Sequence, residues 1–213
     1  MKVLKQYGLK RSGTNFLKAL LMENFDCVVL GFVGGNKHRE IDWEFESNFD
    51  DVETNVDIKT LENYGDLLQC DPHLIGIYKN PFAWITSYRN AYFKGQPITD
   101  EDIEALMELY NRMNKHWNEH CYMVDYHSLI SDPFSELLRI KITFDLTTKK
   151  LVTGFDKATG RVSEVFGDKM FLKRKFNPDY YKNKEYMEYL SVKQVKLIHK
   201  LDEFYSLQGH GWD

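Results

Sequence analysis

One stretch constrains this chain more than any other: a bend with two glycines between an apolar strand and a helix. Val3–Tyr7 reads as a short strand and Gly8-Leu-Lys-Arg-Ser-Gly-Thr-Asn15 as a turn. Phe16, Leu17, Ala19, Leu20 and Leu21 then recur at helical spacing. A strand–turn–helix passage is how a backbone builds an anion site. The N–H groups of the first helical turn have no intrahelical partner, and the helix dipole favours negative charge there. Gly13 lets the backbone come close, Ser12, Thr14 and Asn15 bring side-chain donors, and Arg11 brings a full positive charge.

The bend is not a standard nucleotide loop. Gly8 and Gly13 have the spacing of G-x4-G-K-(S/T), but Thr14 stands where the lysine belongs and Asn15 where the Mg²⁺-binding hydroxyl belongs. Both phosphate neutralisation and the metal ligand are lost, so the loop suits an anion other than Mg·ATP.

The rest of the chain repeats the alternation of strand and helix. Cys27-Val-Val-Leu30 is apolar on both faces, as a strand in a parallel sheet should be. Leu74-Ile-Gly-Ile-Tyr78 runs into Lys79-Asn80-Pro81, with Pro81 suited to the first turn of a helix. A long helix follows Asp100, with Thr99 as N-cap and Asp102 completing an approximate capping box. Cys121–Asp125 is a further strand, leading into a helix through Leu129 and Leu137. This order predicts an α/β fold, a central parallel β-sheet flanked by helices, in one domain spanning residues 1–213. Residues 178–213 form its helical C-terminal closure, with two helices over Tyr180–Leu207.

Charge and cysteine content narrow the class. A formal net charge of −4 supplies no global positive field for nucleic acid or an anionic membrane. Cys27, Cys70 and Cys121 are widely spaced and odd in number, which reads as reduced thiols in a cytoplasmic protein. No apolar leader or spanning segment is visible, so a soluble protein is expected. The acid-rich run from Arg39 to Asp71 reads as a solvated face. The histidines His116 and His120 are four residues apart but lack an H-E-x-x-H pattern, so no metal site is expected.

Lys10-Arg-Ser-Gly-Thr-Asn-Phe-Leu17 resembles the 5′-phosphosulfate loop of sulfotransferases that use 3′-phosphoadenosine 5′-phosphosulfate (PAPS), approximately (K/R)-S-G-T-(T/N)-(W/F)-L. Ile77-Tyr-Lys-Asn-Pro-Phe-Ala-Trp-Ile-Thr-Ser87 is similar to the same family's strand–loop–helix R-(N/D)-P-x5-S. Met123–Pro133 is a weaker echo of its V-x-Y-E-D-L-x-x-D-P segment. The resemblance runs along residues 3–133 and implies a P-loop-like sulfotransferase architecture. It implies that Arg11 contacts the bridging and phosphate oxygens of PAPS, and that Ser12, Gly13, Thr14 and Asn15 cradle the 5′-phosphate. Phe16 is either a stacking partner of the adenine or a core residue of the first helix. Lys79 and Ser87 fall where the family holds the 3′-phosphate, and Lys173-Arg-Lys175 is either a late basic loop over that phosphate or a solvated patch.

The reaction implied is sulfuryl transfer to an acceptor hydroxyl or amine, leaving PAP, with charge stabilised by Arg11 and loop amides and without a metal. The family places its base between the two anion motifs. His38 is the first choice here, with Lys37 beside it to stabilise the leaving group or lower the acceptor's pKa. Glu40, Glu44 and Glu46 are rival bases. The acceptor classes are a carbohydrate, a lipid head group or a small metabolite, with Trp43, Phe45 and Phe49 available to stack on a sugar. Two alternatives stand beside this reading: a P-loop small-molecule kinase using Cys121–Asp125 as its metal-binding strand, and a non-catalytic nucleotide-binding protein.

Overall fold

The short apolar runs pair side by side. A computed structural model describes residues 2–31, 37–41, 72–94, 96–151 and 177–210. Strands β1 (Lys2–Tyr7), β2 (Cys27–Leu30), β3 (His73–Tyr78) and β4 (Tyr122–Asp125) form one all-parallel sheet in the order β2-β1-β3-β4. In register, Leu4 lies opposite Val29 and His73, and Tyr78 lies opposite Asp125. β1 is buried from Val3 through Tyr7, which is why its sequence runs without a polar face except at Lys5 and Gln6.

Helices cover both faces. They are α1 (Thr14–Asn24), α2 (Pro81–Tyr92), α3 (Asp100–His120), α4 (Tyr126–Ser131), α5 (Pro133–Phe144), α6 (Asp179–Lys182) and α7 (Val192–Leu201). On one face Leu4, Ile75, Ile77 and Val124 pack against Leu17 and Leu20 of α1 and Leu137 and Ile140 of α5. On the other, Tyr78 packs with Phe82 and Ile85 of α2, Met107 and Trp117 of α3, and Ile198 of α7. The α/β reading with a parallel sheet and flanking helices therefore holds. Among the described residues no helix is long and apolar enough to cross a membrane.

The helix starts follow the sequence closely. Asn80 Oδ1 accepts from the N–H groups of Phe82 and Ala83, with Pro81 at the first helical position. Thr99 and Asp102 form a reciprocal capping box: Asp102 N–H donates to Thr99 Oγ1 at 3.1 Å, and Thr99 N–H donates to Asp102 Oδ2 at 2.9 Å.

Three boundaries differ from expectation. Cys121 does not begin β4 but closes α3, its N–H bonding to Trp117 O. The single helix expected through Leu129 and Leu137 is two helices broken at Asp132-Pro133. Proline has no N–H to donate and disfavours the helical conformation at the residue before it. Asp132 is accordingly extended out of the helix (ψ 71°) and caps α5 by accepting from Ser135 N–H. The two tail helices prove to be the four-residue α6 and the ten-residue α7, separated by a 3-10 turn at Glu185–Tyr189.

Removal of the α3 cap by Thr99→Ala should lower stability by about 1 kcal/mol, read from the denaturant midpoint at unchanged slope.

Candidate functional site

The connection leaving β1 sends α1 to one face of the sheet, and that leaving β3 sends α2 to the other. β2 and β3 lie on opposite sides of β1, so the strand order reverses between β1 and β3. A crevice opens outside the carboxyl ends of strands at such a point, and ligands of open α/β sheets bind there. The two candidate anion motifs, Gly8–Asn15 and Lys79–Ser87, flank it.

The first motif is a tight bend. Arg11 has φ 75° and Gly13 φ 103°, the left-handed region that a side chain resists. A Cβ on Gly8 would stand 2.7 Å from Ile77 O and 2.8 Å from Ser12 Oγ, and one on Gly13 would stand 2.4 Å from Cδ2 of Tyr126. Only glycine fits either place. The bend delivers the chain into α1, which starts at Gly13 with no side-chain cap. α2, α3, α5 and α7 each have one. Ser12 Oγ is buried with no hydrogen-bond partner among the described residues, an unsatisfied polar group at the mouth of an uncapped helix.

A second segment is laced to this bend. Gly8 N–H donates to Lys37 O at 2.9 Å, and Lys37 Nζ donates to Asn15 Oδ1 at 2.9 Å. His38 Nδ1 lies 2.5 Å from Gly8 O. A carbonyl only accepts, so Nδ1 carries the proton and Nε2 carries the basic lone pair. Burial, together with the charges of Lys37, Lys10 and Lys5, pushes His38 down to about 4 against the pull of its bond to Gly8. Trp84 of α2 closes the bend from outside, its indole N–H donating to Lys10 O at 2.9 Å.

The field here is positive. Lys5, fully buried in β1, donates to Gly31 O at 3.0 Å, and burial with Lys37 and Lys18 nearby lowers its pKa to about 7. The sequence offered a signal for Lys5, a lysine inside an apolar strand, but not its meaning.

The second motif converges on a residue the sequence did not single out. Lys79 is buried, its ammonium 4.2 Å from the Tyr126 ring centre and 4.8 Å from that of Tyr181. Tyr181 stands edge-on to Tyr126, 5.1 Å between ring centres, and Ser87 is half-buried on α2; burial pushes the Tyr181 pKa up and the nearby Lys79 charge brings it down. Burial lowers the Lys79 pKa, Tyr181 raises it, and the Arg11 guanidinium lowers it further, so the two motifs act on one another. Tyr110 supports the turn by donating from its hydroxyl to Lys79 O at 2.7 Å.

The remaining assignments sort as follows. Phe16 is a core residue of α1, buried edge-on against Tyr126. Asn15 presents its side-chain oxygen to Lys37, so its amide oxygen is an acceptor engaged within the site. Thr14 is buried, its carbonyl accepting from Gln6 Nε2 at 2.7 Å. Glu40 is exposed, 3.9 Å from Arg112. Glu44, Glu46, Lys173, Arg174 and Lys175 lie outside the described residues, as do Trp43, Phe45, Phe49 and Cys70. His116, Glu119 and His120 bring their ligating atoms within 4.8 Å of one another on α3, where His116 Nε2 already accepts from Ile41 N–H.

Compared with models of protein families, with curated proteins and with solved structures, the chain matches none of them.

The unfolded imidazole of His38 takes up a proton near 6.5 and the folded one near 4, so acid favours unfolding between these values. The contribution is full above pH 6.5 and lost as pH falls through 4, worth about 3 kcal/mol. His38→Gln should flatten the decline in stability over this window by that amount, measured by denaturant unfolding at stepped pH.

Proposed function

We propose that this chain is a cytoplasmic PAPS-dependent sulfotransferase with a P-loop-like architecture, moving a sulfuryl group to an acceptor hydroxyl or amine. The observation that carries the reading is the pair of cationic cups at one switch point. One is the Arg11–Asn15 bend after β1; the other is Lys79 with Ser87 after β3. Arg11 is near enough to Lys79 to depress its proton affinity. PAPS carries a phosphosulfate on one side of its ribose and a separate phosphate on the other, so it needs two such cups.

In this reading the phosphosulfate lies against the bend and the 3′-phosphate against Lys79 and Ser87. The acceptor oxygen or nitrogen attacks sulfur in line. The bond from sulfur to the bridging oxygen breaks, its electron pair stays with the departing PAP, and His38 Nε2 takes the acceptor's proton. Arg11 and the first N–H groups of α1 stabilise the leaving oxygen. Burial holds His38 low, and Lys37, Lys10 and Lys5 add to it; the negative charge of the nucleotide offsets those lysines and so raises its basicity towards the working range. Acceptors of the classes expected from the sequence, a sugar, a lipid head group or a small metabolite, fit this chemistry alike.

The kinase alternative is weakened by Asp125. Both of its carboxylate oxygens cap α4, accepting from His127 N–H, Ser128 N–H and Ser128 Oγ, rather than standing ready for a metal.

PAP should raise the unfolding temperature and Mg·ATP should not; the reverse pattern refutes the assignment. Lys79→Ala removes a charge-assisted contact worth about 1.5–3 kcal/mol. It should weaken PAP binding roughly ten- to a hundredfold by calorimetry.

A further inference from the structure

We propose that the last turns of α3 carry a site for a divalent transition cation of the zinc class, with His116, Glu119 and His120 as ligands, and that the ion and the Ile41 amide compete for the His116 imidazole. The sequence lacks H-E-x-x-H but has the reverse order, H-x-x-E-H, at His116–His120. That spacing is one of those by which a helix presents two imidazoles to zinc.

Residues three and four apart share a helix face. One ligating atom from each of the three side chains lies within 4.8 Å of the others, and the two imidazole rings stand 5.2 Å apart between centres. Glu119 Oε2 is 3.9 Å from His120 Nε2. Zinc bonds of about 2.0–2.2 Å place tetrahedral ligand atoms about 3.3–3.6 Å apart. Modest side-chain rotation reaches that spacing, because Glu119 and His120 lie at the surface. Two nitrogens and one carboxylate oxygen are a donor set for zinc, copper or nickel, whereas calcium and magnesium take oxygens throughout. Place along the helix favours a cation too: α3 closes at His120, where the dipole attracts positive charge. The cations of the preceding turn are engaged elsewhere, Arg112 at 3.9 Å from Glu40 and Lys115 with Glu203.

The competition follows from the two nitrogens of the imidazole. Ile41 N–H donates to His116 Nε2 at 3.0 Å, so Nε2 holds the lone pair and Nδ1 the proton. An ion on Nε2 takes the lone pair that Ile41 uses. An ion on Nδ1 moves the proton to Nε2, where it faces the Ile41 N–H. Either way the bond to Ile41 breaks when the metal binds. Ile41 belongs to the 37–41 segment, which is tied to the bend after β1 through Lys37 and His38. The same segment is held to α3 at Arg39, whose carbonyl accepts from Trp117 Nε1–H at 3.1 Å. Metal at α3 therefore releases one anchor of the segment that carries His38 and leaves the Trp117 anchor in place.

Zinc titrated calorimetrically into the full chain, in a buffer that does not coordinate it, should fill this site. A group that merely orients a metal ligand is worth about ten- to a hundredfold in affinity, so loss of a ligand costs at least that much. His120→Ala, a change at the surface, should accordingly weaken zinc about tenfold or more. Amide hydrogen exchange reads the competition. Zinc should speed exchange at Ile41 by about tenfold or more in the wild-type chain, and leave it unmoved in His120→Ala at the same zinc concentration. Absence of zinc binding, or binding that His120→Ala leaves intact, overturns the site. Zinc bound with the Ile41 amide still protected shows that His116 is not a ligand, and overturns the proposal as well.

Discussion

A buried ammonium needs electron-rich company, and the arrangement of this site follows from how Lys79 finds it. The end of β3 puts Lys79 under the sheet's carboxyl edge with almost no access to water. Two aromatic rings flank it, taking the place of the carboxylate that a buried lysine ordinarily demands. Tyr126 serves twice, since the same ring lies against Gly13 and so ties the lysine cup to the bend after β1. Without a glycine at position 13 the two could not meet.

The same economy shapes the first cup. The bend holds left-handed backbone at Arg11 and Gly13, which persists only where neighbours over-determine it. Lys37, His38 and Trp84 do so through bonds to Asn15, Gly8 and Lys10. The result is a closely bonded turn with an uncapped helix behind it and cations on several sides. Under the function proposed, these groups are preorganised for negative charge, and the proton affinities of Lys5, Lys79 and His38 are lowered first by burial and then by neighbouring positive charge.

Local signals carried much of the fold. β2 spans the same Cys27–Leu30 that its apolar run marked, the Thr99–Asp102 box opens α3, and Pro81 begins α2, because strand patterning, caps and proline act within a few residues of themselves. The Asp132-Pro133 break was equally local and was legible in hindsight from the proline alone. Residues of the bend and of the Lys79–Ser87 turn were legible too, since motif spacing is a property of the chain.

What the chain by itself determined, then, is which segments become strands and helices and which turns concentrate donors and charge. Tertiary structure alone decided who meets whom. Tyr181, a hundred residues beyond Lys79 and without any pattern of its own, becomes the partner of that lysine. His38, which the sequence offered as a candidate base on a loop, is half-buried with its tautomer set by Gly8. Burial and proton affinity depend on surroundings assembled from distant segments, and no local pattern of residues encodes them.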